Sequence, residues 1–147
     1  MEIIIFILGI ILDRISKLLA IDLKGRLGIN LIPNFLTLEY LENRGAAFGI
    51  MQNKQWLLII LTILIMIVLL YMFFRYRHES KILNYSLVMI FTGAIGNLYD
   101  RIFYKYVIDF ISVHYKDVYY FPTFNIADIM VVLGTFLLAL YIMKGEK

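Results

Sequence analysis

Residues Trp56 to Phe74 read WLLIILTILIMIVLLYMFF, 19 positions without one charged side chain. As a helix rising about 1.5 Å per residue the run is about 28 Å long, close to the roughly 30 Å hydrocarbon core of a bilayer. It is read as a membrane span, and the composition agrees. The chain is 62% hydrophobic and 17% charged, against about half and about a quarter in an ordinary soluble domain.

Three further segments have the length of a span. Ile3 to Ile21 is apolar but interrupted by Asp13, Arg14, Ser16 and Lys17, Ile82 to Tyr99 turns polar only near its end, and Ile126 to Met143 carries Asp128 close to its start. A cleaved signal peptide would show basic residues before its apolar core and small residues after it. Here Glu2 is the only charged side chain ahead of the apolar core, and DRISK follows that core within the segment, so an anchor is expected. The expected architecture is a single integral membrane domain over residues 1–147. It is an all-α membrane protein with four transmembrane helices joined by links at 22–55, 75–81 and 100–125.

Arg75, Arg77 and Lys81 crowd the short link between the second and third spans, and Lys144 and Lys147 follow the fourth. By the positive-inside tendency these face the cytoplasm, which places both termini inside and the two long links outside. The net charge of +3 is otherwise scattered among apolar segments, with no basic stripe that would suit a nucleic acid. In the first outer link FLTLEYLE, Phe35 to Glu42, favours a strand by propensity and is bounded by Pro33-Asn34 and Asn43. A small sheet on the outer surface is therefore expected.

Inside the spans the polar residues are placed with order. Gly93, Gly96, Asn97 and Asp100 share one helix face, and Gly9, Asp13, Ser16 and Lys17 form a similar stripe on the first span. An ionised carboxylate near the middle of a bilayer costs roughly 2.5 to 3.5 kcal/mol on insertion scales, so these groups need partners. Asp13 and Lys17, one turn apart, can neutralise each other. Asp100 either pairs with the adjacent Arg101 or faces a substrate. Asn125 and Asp128 have the spacing of an N-cap with a carboxylate in the first turn.

In YVIDFISV, Asp109 stands between Ile108 and Phe110. Desolvation in an apolar strand raises the pKa of a carboxyl, and a second carboxylate nearby raises one member of the pair further. Asp109 and Asp128 are thus candidates for a pair sharing one proton, although spacing alone does not bring them together. Other chemistries lack their residues. There is no cysteine, and His78 and His114 lie in different links, so neither a metal cluster nor a Ser-His-Asp set suggests itself. No GxGxxG or GK[ST] loop occurs.

DRISK at 13–17, NRGAAFGI at 43–50, GAIGNLYDR at 93–101, VIDF at 107–110 and FNIAD at 124–128, in that order and at that spacing, resemble the lipoprotein signal peptidases, also called signal peptidase II. These are four-span aspartyl proteases of bacterial membranes. The resemblance implies that Asp109 and Asp128 are the catalytic dyad. It implies that Asn43, Gly45, Asn97, Asp100, Arg101, Asn125 and Ala127 line or brace the substrate site, with Asp13 and Lys17 as a supporting pair. It implies no metal or organic cofactor, a small extracytoplasmic β-cradle, and a mobile lid-like segment within about 31–55. The substrate implied is a prolipoprotein whose cysteine bears diacylglycerol, cut just before that cysteine at the outer face of the cytoplasmic membrane, by a monomer among membrane lipids.

Two departures stand out. The family's first motif often reads Asp-Gln-x-Thr-Lys, where this chain has Arg14 and Ser16, and ISVH follows Asp109 where many relatives carry a further acid. An arginine at that depth has to snorkel or find a partner. The competing reading is a non-enzymatic transporter or channel component using Asp13, Asn97 and Asp128 as an ion path. The inner halves of the spans offer little polar lining for it. A lipid-headgroup transferase would ask for more basic or metal-binding residues.

Overall fold

The computed structural model describes residues 1–46, 50–116 and 118–145. Four long helices, α1 (Glu2–Ile21), α2 (Gln55–Tyr76), α3 (Lys81–Phe103) and α4 (Ile126–Lys144), are joined with four short strands, β1 (Ile29–Ile32), β2 (Leu36–Asn43), β3 (Val107–Tyr115) and β4 (Tyr119–Tyr120). Ala47, Phe48 and Gly49 of the NRGAAFGI motif and of the expected lid, and the basic Lys147, lie outside the described residues.

Three of the four helices, α2, α3 and α4, are long and apolar enough to cross a membrane. This is one fewer than the four spans expected. The shortfall is α1, into which Glu2, Asp13, Arg14 and Lys17 put four charged side chains. The helix ends follow local chemistry. Ser80 caps α3 by accepting from the Ile82 N–H, and Gly145, in the left-handed region at φ 60°, ends α4. α3 runs four residues beyond Tyr99, so Asp100 and Arg101 sit in its last turns and not in the link that follows.

α3 is the central helix, with α1, α2 and α4 all packed on it. Glycine makes the closest approach possible. A Cβ on Gly93 would run into the Ala127 carbonyl of α4, and one on Gly96 would stand 2.6 Å from Asp13 Oδ2 of α1.

The strands form one antiparallel sheet in the order β1-β2-β3-β4. Asn43 lies opposite Val107 and Leu41 opposite Asp109, which makes Asn43 the diagonal neighbour of Asp109 on one face. On the other face Ile108 and Phe110 pack with Ala20 of α1 in a buried cluster, seating the sheet on the end of the bundle. A bridge between Ile111 and Phe124, in which the Phe110 and Ile111 N–H groups both donate to Phe124 O, ties the start of α4 to the strand that carries Asp109.

Candidate active site

Because Phe124 is pinned to β3, Asn125 arrives beside Asp109 as α4 begins. Its side chain accepts from the Asp128 N–H at 2.9 Å while Asp128 Oδ2 accepts from the Asn125 N–H at 3.1 Å, a reciprocal capping box. The same side-chain amide donates to Asp109 Oδ1 at 2.6 Å and to Asn97 Oδ1 at 3.1 Å. Asn97, on α3, donates to Asp128 Oδ1 at 2.7 Å, and Asn43, on β2, donates to Asp109 Oδ2 at 2.9 Å. Three asparagines from three elements thus hold the two carboxylates, and Asn125 touches both.

The two acids stand in unlike surroundings. Asp128 is partly exposed at the N-terminal end of α4, where a backbone N–H and the helix dipole favour negative charge. Asp109 is only 1% exposed. Burial pushes its carboxyl from 3.8 up to about 7 and the charge of Asp128 adds to the rise, while the Asn43 and Asn125 amides and the Lys17 ammonium oppose it.

Beside this network lies a second, made of charges. Lys17, fully buried, reaches Asp100 Oδ2 at 2.9 Å, Asp13 Oδ2 at 3.1 Å and Asn97 Oδ1 at 3.1 Å, so its three N–H donors are all used. Arg14 donates to Asp100 Oδ1 at 2.6 Å. Two acids and two bases make the cluster neutral. It also grips backbone: the Ile108 N–H donates to Asp100 Oδ2 at 3.2 Å and the Ala127 N–H to Asp13 Oδ1 at 3.0 Å.

Asp100 is therefore paired with Lys17 and Arg14 and not with its sequence neighbour. Arg101 instead donates to the Gly45 carbonyl at 3.3 Å, and the Gly45 N–H donates to Asn43 Oδ1 at 3.0 Å. The residues expected at the site fall into these two adjoining networks, the amide one holding Asp109 and Asp128, the charged one holding Asp13, Lys17 and Asp100. Arg14 was not among them. Its signal in the sequence was the need for a partner of an arginine set in an otherwise apolar segment. Among the described residues no three His, Asp or Glu side chains are grouped to hold a metal ion.

Fold and site together define a helical membrane protein that gathers its polar side chains around two carboxylates at one end of the bundle. The family model described as Signal peptidase (SPase) II matches residues 5–144. The lipoprotein signal peptidase of Clostridium novyi is 56% identical over 148 residues, all of both chains being covered. That of Clostridium acetobutylicum is 48% identical over 149 residues, covering 100% of this chain and 97% of the relative. A solved bacterial membrane enzyme, determined by the in meso method at 2.3 Å, superposes with a TM-score of 0.88 at 32% identity, over 97% of this chain and 87% of that one. The chain belongs to the lipoprotein signal peptidase, or signal peptidase II, family of bacterial membrane proteases.

Proposed function

We propose that the protein is an aspartyl endopeptidase that removes the signal peptide of prolipoproteins by water-mediated hydrolysis, with Asp109 and Asp128 as the catalytic dyad. The observation that carries this reading is the unequal bracketing of two carboxylates by Asn125. Close like charges do not both ionise cheaply, and unlike environments decide which member keeps the proton. Asp128, held by a backbone N–H, the Asn97 amide and the α4 dipole, carries the charge and deprotonates the water. Asp109, buried and raised to about 7, keeps the proton and polarises the scissile carbonyl.

The placement suits a lipidated substrate. α1 joins α2, α3 and α4 as a fourth span, both termini lie in the cytoplasm, and the site faces outward at the lipid–water boundary. There the acyl chains of a diacylglyceryl cysteine stay in the bilayer while the bond before it reaches water. Residues 1–147 act as one domain and as a monomer. The transporter reading gains no support from the family assignment.

The test is incubation of the purified protein with a diacylglyceryl-modified precursor peptide in detergent, beside an unlipidated control. Wild type is expected to cut the lipidated peptide alone. Asp109→Asn and Asp128→Asn are expected to insert, fold and leave it whole, and full cleavage by either variant defeats the dyad.

A further inference from the structure

Resting on the dyad reading, we propose that Arg14 is a positioning residue for the hydrolysis, acting through Asp100 and the Ile108 N–H on the carboxyl of Asp109. Asp13 and Asp100 are 2% and 0% exposed, and Lys17 between them is 0% exposed. One buried ammonium between two buried carboxylates leaves a negative charge without compensation, and Arg14 supplies it at 2.6 Å. Its guanidinium is held at that post by aromatic faces, 4.5 Å from the ring centre of Tyr99 and 5.8 Å from that of Tyr104.

What Asp100 holds explains why this matters for chemistry. Oδ1 takes Arg14, and Oδ2 takes both Lys17 and the N–H of Ile108. Ile108 immediately precedes Asp109. Asp13 likewise takes the N–H of Ala127, which immediately precedes Asp128. The neutral quartet thus fixes the backbone one residue upstream of each acid. Lys17 also orients Asn97, whose amide holds Asp128 at 2.7 Å.

Without the Arg14 charge, Asp13 and Asp100 compete for one ammonium. Its shift toward either loosens the grip on Ile108 or on Asn97. The displacement reaches the dyad, and Arg14 is not among the residues taken to line the substrate site. A misplacement of about 1 Å at a reacting group can cost about a hundredfold in rate, so turnover is the quantity exposed.

The experiment measures kcat and KM on the diacylglyceryl-modified peptide for wild type, Asp109→Asn, Arg14→Gln and Arg14→Lys. Arg14→Gln removes the charge and keeps a polar side chain at the same place. Arg14→Gln is expected to lose about tenfold or more in kcat with KM held within about twofold. Arg14→Lys, which keeps the charge, is expected to recover kcat to within about threefold of wild type. A kcat loss for Arg14→Gln clearly smaller than about tenfold overturns the inference, as does a loss that lysine does not recover to within about threefold of wild type. Should Arg14→Gln not fold, Arg14→Met and Arg14→Lys replace it as the uncharged and charged pair: a loss of about tenfold or more in kcat for methionine with lysine within about threefold of wild type supports the proposal, and any other result overturns it. An Asp109→Asn enzyme that cuts normally sinks the dyad and this inference with it. A normal Arg14→Gln beside an inactive Asp109→Asn sinks this inference only.

Discussion

Asp109→Asn should change how stability depends on pH, in a direction and size that the structure sets. In the unfolded chain the carboxyl titrates near 3.8, and in the native protein near 7, because burial and the charge of Asp128 both favour the neutral form. At about 1.36 kcal/mol per decade of proton affinity, that difference is worth on the order of 4 kcal/mol. Between these two values the native state holds a proton that the unfolded state has released, so stability falls as pH rises. The contribution is fully present below 3.8 and is lost by the time pH has passed about 7.

Asparagine cannot titrate, so the difference between wild type and Asp109→Asn reports the proton held at this residue and its coupling to the neighbouring carboxylate. Chemical unfolding in detergent at several values from about pH 4 to pH 8 is the assay. The wild-type curve should descend relative to the variant by an amount approaching 4 kcal/mol and flatten above about pH 7. Activity should show the matching limb, with cleavage declining above about pH 7 as the acid loses its proton. Parallel stability curves over that range would refute the reasoning, because they would mean that Asp109 meets no unusual environment in the folded protein.

Lys17→Met removes the ammonium shared by Asp13 and Asp100 and leaves two buried carboxylates with Arg14 alone; a loss of about 3 to 5 kcal/mol is expected, read as a lower thermal midpoint in detergent, and an unchanged midpoint would show the cluster to be dispensable. Gly93→Ala drives a methyl group into the Ala127 carbonyl and against Val131 Cγ2 at 2.7 Å. Because the backbone of α4 cannot step aside as a flexible side chain can, the helices should separate and both stability and cleavage should fall, whereas wild-type behaviour in the same two measurements would mean that α4 tolerates the shift.

How much of this was legible in the sequence depends on the range of the interaction. The capping box of Asn125 and Asp128 spans three residues and could be read from spacing. Asp109 was conspicuous because its neighbours are apolar and a loop aspartate's usually are not. The link between the two sites was not legible, since Asn125 reaches Asp109 only through the Ile111–Phe124 bridge. The sequence left Asp100 open between a pair with Arg101 and a substrate-facing role: consecutive helical residues point about 100° apart, and Asp100 turns to α1, 86 residues away in sequence, while Arg101 turns to Gly45. β1 and β4 escaped notice because they have four and two residues, too few to show alternation.

α1 falls outside the set of helices apolar enough to cross a membrane because of its charges, and the way those charges are buried supports the fourth span proposed above. Asp13 and Lys17 point inward and are buried, while Ile4, Leu8, Ile11, Ile15 and Leu18 are exposed, so the outward surface of the helix is apolar. A cost of roughly 2.5 to 3.5 kcal/mol per charge applies to a helix inserted alone. In the bundle the same charges meet opposite charges from α3 and a backbone N–H from α4. α1 is thus expensive by itself and stable in company, so that its docking and the assembly of the site become one event. The polar groups that a single span would have to exclude are the ones that hold β3 and α4 in register around the two aspartates.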